Sequence, residues 1–93
     1  MFTDATQATP DPDVISTQLD NEAVLLHMGN PHYYTLNETG CFIWQRLEQG
    51  QDLGAIRAAL EDCYNVTPDQ AAQSIADLLT DLLQEQLITL TPP

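Results

Sequence analysis

The chain contains no lysine, and its two arginines, Arg46 and Arg57, stand against fourteen carboxylates for a formal net charge of -12. A protein that reads DNA or RNA sets several lysines or arginines against phosphate, so this balance argues against nucleic-acid binding. An anionic membrane surface would repel the chain for the same reason. The acids are scattered and form no block, which suits solubility.

Other shortages close off further chemistry. Cysteine occurs twice, at Cys41 and Cys63, and histidine twice, at His27 and His32. A structural zinc site takes four closely spaced ligands, and no such set exists, so no metal site is expected. Both cysteines fall on apolar faces of predicted helices and read as buried, reduced thiols. The four glycines, Gly29, Gly40, Gly50 and Gly54, are dispersed and build no phosphate-binding loop. Neither histidine stands beside a serine or cysteine motif, so no nucleophile with its base is in view. Ser74 lies inside a predicted helix, which does not fit attachment of a phosphopantetheine arm. These absences predict a protein without catalytic residues or cofactor. No apolar run reaches the roughly 18 residues needed to span a bilayer. The opening MFTDATQATPDPD is polar and acidic, unlike a secretory or mitochondrial signal. The expected address is the cytoplasm.

What is present fits one globular domain: 93 residues, 43% of them hydrophobic. Residues 1–12, with Pro10 and Pro12 among small polar residues, predict a flexible tail. Residues 13–90 form the domain, and residues 91–93 a C-terminal tail. Short β-like runs come first, VISTQL over 14–19 and AVLLHM over 23–28, separated by the turn pair Asp20-Asn21. After Gly29-Asn30-Pro31 comes HYYTL over 32–36. Tight connections make these three strands an antiparallel meander.

Helical spacing then takes over. Asn37 is placed to cap a first helix carrying Ile43, Trp44 and Leu47 inward and stopping at Gly50, with Leu36 and Cys41 as hydrophobic staple. Asp52 starts a second helix with Leu53, Ile56, Leu60 and Cys63 on one face, ended by Asn65. Thr67-Pro68-Asp69-Gln70 is a capping box with proline at the first helical position. The third helix should run to about Gln86, with Leu87–Leu90 as a short closing segment. The fold class is therefore α+β, a three-stranded antiparallel sheet followed by three helices.

Two features suggest a binding surface. The apolar face of the third helix spans about half its circumference, wider than the ~100° stripe that suffices for one core contact. One flank holds Ala71, Ile75, Leu78 and Leu82; the other holds Ala72, Ala76, Leu79, Leu83 and Leu87. The third strand, His32-Tyr33-Tyr34-Thr35-Leu36, has no charge and no internal proline to guard an edge against an added strand. Alternation puts Tyr34 with Leu36 on one face and Tyr33 with Thr35 on the other. The candidate peptide-binding residues are therefore His32, Tyr33, Tyr34, Thr35 and Leu36 of the strand with Ile75, Leu78, Leu79 and Leu82 of the helix. The inner rim is assigned to Tyr34, Ile75, Leu78 and Leu82, with Ala72, Leu79 and Leu83 as the alternative wall.

The run Tyr34-Thr35-Leu36-Asn37-Glu38-Thr39-Gly40, followed by Ile43-Trp44 and Leu47, resembles the signature of the PqqD-like family. Its members include the RiPP recognition elements, which serve ribosomally made, post-translationally modified peptides. The resemblance spans nearly all of residues 13–90, including the Tyr64-x-Val66 step and the Leu79–Ile88 ending, and looks most like stand-alone versions from lasso-peptide pathways. It departs at Gln86, where a glycine is common, which bears on the end of the third helix. The resemblance implies a winged-helix-turn-helix-like fold and non-catalytic binding of the leader region of a precursor peptide. The leader adds as a strand beside the third strand, with the third helix as the other wall. The implied partners are that precursor and a leader peptidase or other maturation enzyme. A regulatory winged helix, or an accessory subunit that holds only a protein partner, is the alternative.

Overall fold

Along the chain the elements are β1 (Gln7–Pro10), β2 (Val14–Leu19), β3 (Glu22–His27), β4 (Asn30–Leu36), α1 (Glu38–Glu48), α2 (Leu53–Tyr64), α3 (Pro68–Gln84) and β5 (Ile88–Thr91). They belong to a computed structural model that describes residues 4–91, without the side chains of residues 30–32 and 91. Strands β2, β3 and β4 pair in that order as an antiparallel sheet, and β1 pairs with β5 in a separate ribbon.

The meander follows from its turns and its alternation. Asp20-Asn21 closes the first hairpin with Leu19 opposite Glu22. Asp20 takes a φ of 52°, a left-handed conformation that aspartate tolerates better than most residues. Directly opposed residues share a face of the sheet. Ala23 and Leu36 are opposed, as are Leu25 and Tyr34, and this face turns toward the helices. Ala23, Leu25 and Leu36 are buried there.

Each helix begins at the cap that local chemistry selects. The Asn37 carboxamide oxygen accepts from the Gly40 N–H at 2.8 Å, and the Asp52 carboxylate from the Ala55 N–H at 2.9 Å. Thr67 and Gln70 satisfy one another's backbone N–H groups in a full capping box. Each such cap contributes about 1 kcal/mol. Asn65 ends α2 in the left-handed region, with φ 53°. Trp44 packs in the core with Ile43, Leu47, Ile56, Leu60, Leu79 and Leu82.

α3 stops at Gln84, two residues before the predicted Gln86. The Leu87 N–H donates to the Leu82 carbonyl at 2.9 Å and the Gln86 N–H to the Leu83 carbonyl at 3.1 Å. That pairing is a Schellman stop, which demands a left-handed residue just past the cap. Gln86 fills the position with φ 60°, where glycine fits without strain.

Two expectations are corrected here. The predicted tail is ordered over its described part. The Asp4 and Thr6 carbonyls accept from the Gly54 and Leu53 N–H groups at 2.8 and 3.0 Å, satisfying donors that the first turn of α2 leaves free. Gly54 permits this approach, because a Cβ there would lie 2.9 Å from that of Asp4. β1 then pairs Ala8 with Leu90 and Pro10 with Ile88. Nothing local announces this, since the partners stand at the far end of the sequence. The second correction is Cys63, which is exposed, while Cys41 is buried as expected. Tyr64, not Cys63, continues the inward stripe of α2, and its ring meets Phe42 edge-on at 5.4 Å.

Candidate functional site

β4 is the last strand of its sheet, so its outer edge has no strand partner among the described residues. Its N–H and C=O groups on that side form a template for another strand. Beside this edge lies a groove of about 430 Å³. β4 lines it with Tyr34, Thr35 and Leu36, the start of α1 with Asn37, Thr39, Gly40 and Ile43, and α3 with Ser74 and Leu78. Glu22 of β3 closes one side. The walls are mixed, with hydroxyls and a carboxamide around Leu36, Ile43 and Leu78. A groove of this kind takes a few apolar side chains from an extended chain whose backbone pairs along the strand.

Tyr34 joins the two walls. Its hydroxyl donates to a carboxylate oxygen of Asp81 on α3 at 3.1 Å. Partial burial, the bond to Asp81, and the charges of Asp81 and Glu85 push the Tyr34 phenol up to about 12. The hydroxyl therefore stays protonated and donating across the physiological range.

Of the sequence-predicted residues, Tyr34, Thr35, Leu36 and Leu78 come together in the groove. Tyr33 sits on the same strand but faces out from the opposite side of the sheet, in the row that holds Leu26. The backbone of His32 belongs to β4, and its side chain lies outside the described residues. Ile75, Leu79 and Leu82 are corrected: all three are buried in the domain's own core. α3 packs against α2 and β5, so its central stripe is occupied by the fold itself. Ile75 instead borders a second groove, of about 410 Å³, with Ala72, Ala76, Leu53 and Arg57. That groove lies between α2 and α3 with Asp4 of the N-terminal segment at its rim, and none of the residues lining it belongs to a strand. Leu83, on the alternative flank, is half-buried against the core.

Ser74 and the α1 start were missed. Helical spacing carried a signal for Ser74, because it lies one turn before Leu78 on the same flank. Asn37, Thr39 and Gly40 belong to the segment that carries the family resemblance. A residue type alone does not reveal that an N-cap loop also forms a groove wall.

The described residues also group Asp11, Asp13 and His27, whose ligand atoms lie within 4.8 Å of one another. Nδ1 of His27 accepts from the Gly29 N–H at 3.0 Å, so the proton of the neutral ring sits on Nε2, 3.4 Å from Asp11. Neither nitrogen of that tautomer offers a free lone pair to a metal, and the arrangement ties the loop before β2 to the end of β3. Burial, aided by the charge of Glu22, pushes the Cys41 thiol up, away from the thiolate that nucleophilic chemistry needs. No helix among the described residues is long and apolar enough to cross a membrane.

Comparison with known proteins adds to this geometry. The family model described as coenzyme PQQ synthesis protein D (PqqD) matches residues 22–88. The solved structure of TbiB1 in complex with the TbiA(beta) leader peptide superposes with a TM-score of 0.82 at 30% identity, covering 86% of this chain and 93% of that one. A lasso peptide synthetase B1 complexed with the leader peptide superposes with a TM-score of 0.81 at 29% identity, covering 89% and 98% respectively. No curated protein matches the chain.

Proposed function

Because this chain belongs to the PqqD family, we propose that it binds the leader region of a ribosomally made precursor peptide and has no catalytic activity of its own. The observation that carries this reading is the groove set directly beside the unpaired edge of β4. The leader adds as a fourth strand, its backbone pairing with residues 32–36. Alternate side chains enter the groove against Leu36, Ile43 and Leu78, and the others face away from the helices. Backbone pairing supplies affinity, and the groove selects apolar residues of fitting size. The two similar structures are both leader-peptide complexes, which supports this occupant and a place in lasso-peptide biosynthesis. In that setting the protein works in the cytoplasm and delivers the bound precursor to a maturation enzyme, a leader peptidase.

Fluorescence anisotropy with the labelled leader tests the reading. Saturable binding by the isolated protein is expected, together with slowed hydrogen exchange of the outward amides of residues 32–36. Absence of binding at high micromolar protein that remains folded would return the chain to the alternative, an accessory subunit that holds only its enzyme. Protection confined to β2 or α2 would move the site elsewhere.

A further inference from the structure

The flank of α3 that faces β4 ends in two acids. Ser74, Leu78, Asp81 and Glu85 fall within about 60° of arc on the helix, and Ser74 and Leu78 line the groove. Asp81 reaches β4 by accepting from the Tyr34 hydroxyl at 3.1 Å. The charges of Asp81 and Glu85 both raise that phenol, so both carboxylates lie near it. Asp77, one turn earlier, is held by the Gln73 carboxamide at 2.8 Å. Among the described residues, no arginine or histidine pairs with Asp81 or Glu85.

This placement works against the helix. Acids four residues apart repel one another. The last turn of α3 and its cap are the negative end of the helix dipole, where cations are favoured, and no basic residue stands there. The hydrogen-bonding capacity left over is equally one-sided. The Tyr34 hydroxyl commits its only proton to Asp81, so Tyr34, the second Asp81 oxygen and the Glu85 carboxylate offer acceptors alone. Lysine and arginine are the side chains that carry donors and no acceptor. Exposed acids are common in a chain with fourteen carboxylates. This pair, however, stands beside an unpaired strand edge and a groove of about 430 Å³, which fit an extended peptide.

Strand register says which leader position meets the acids. The leader side chain beside Leu36 enters the groove against Ile43 and Leu78, and the next inward one, two residues along, lies beside Tyr34. We propose that this second position is a lysine or arginine, held between Asp81 and Glu85 over the Tyr34 hydroxyl. The inference rests on the leader-binding reading and adds to it the class of leader admitted: an apolar and a basic residue separated by one position. The apolar residue anchors the leader, and the basic one fixes its register along β4.

Asp81→Asn combined with Glu85→Gln is the decisive variant. It removes both charges, keeps the shape of the wall and leaves an oxygen for the Tyr34 hydroxyl. The probes are the labelled synthetic leader and a panel in which each of its lysines and arginines is replaced singly by glutamine. The double variant should bind the leader about tenfold more weakly, with a shallower dependence on salt. Its urea midpoint should match or exceed that of the wild type, because the repulsion and the dipole conflict are gone. Glu48→Gln with Asp62→Asn removes the same charge from exposed positions outside the groove and should leave affinity unchanged. One glutamine-replaced leader should bind wild type and double variant equally. Wild-type affinity in the double variant would overturn the inference and leave leader binding standing. So would an equal loss in the control pair, which would trace the effect to net charge, or a lowered urea midpoint, which would assign the acids to the fold. A panel in which every leader still distinguishes the two proteins would overturn it as well. If the wild type binds no leader, the proposed function falls, and this inference with it.

Discussion

Two adjacent residues of α3 are identical in sequence and different in setting. Leu78 and Leu79 are adjacent leucines, separated by one 100° step around the helix. Leu79 is wholly buried in the core, whereas Leu78 is half-buried and lines the groove beside β4. Ser74 sits one turn below Leu78, and Asp81 nearly one turn above, holding the Tyr34 hydroxyl. The helix thus buries its central stripe, Ala71, Ile75, Leu79 and Leu82, in the core and turns Leu78 to the groove, where the proposed function places leader recognition. An apolar stripe that is too wide for its packing partners is the mark of this division of labour.

Substitutions along α3 and its facing strand can break or sharpen this contrast. The largest effect belongs to the core stripe: Leu79→Ala should destabilise the domain by about 2–5 kcal/mol, through lost burial and a residual cavity. Urea denaturation measures it, and a cost below about 1 kcal/mol would erase the distinction between the stripe and the groove flank. On the groove flank, Leu78→Asp should keep its circular-dichroism signal while leader affinity falls about tenfold, near 1.4 kcal/mol. The carboxylate would meet apolar leader groups without a partner. A folded Leu78→Asp that binds leader normally would move the site off this flank.

A smaller effect lies at the end of the same helix. Gln86 holds a left-handed conformation at φ 60°. Gln86→Gly should therefore stabilise the domain by about 1 kcal/mol, seen as a higher urea midpoint with leader affinity unchanged. The smallest effect is that of Tyr34 on stability at high pH. Its folded phenol is raised from 10.0 to about 12. A raised acid favours the folded state while protonated, so its contribution is whole below pH 10. Between pH 10 and 12 the unfolded chain releases the proton first, and the contribution is lost. Tyr34→Phe should flatten that part of the stability profile, and absorbance titration of the Tyr34 phenol should place its midpoint well above the ordinary tyrosine value of 10.0.

Asn37, Asp52, Asn65 and Thr67 show what the sequence by itself determined. Each sets a helix boundary through bonds to groups within four residues, so the information is complete in a short window. The three-stranded meander was legible for the same reason, through alternation and the Asp20-Asn21 turn. The family segment from Tyr34 to Gly40 likewise pointed to the strand and loop that border the groove. Only tertiary structure decided the rest. Ile75, Leu79 and Leu82 carry no sign distinguishing core from groove, because burial depends on where α2 and β5 pack. The β1–β5 ribbon joins segments some eighty residues apart, as with Ala8 opposite Leu90. Cys63 looked apolar-facing by periodicity, yet Tyr64 took the inward place. Local hydrogen bonds are written in neighbouring residues; which side of a helix is covered is settled by elements that approach from elsewhere in the chain.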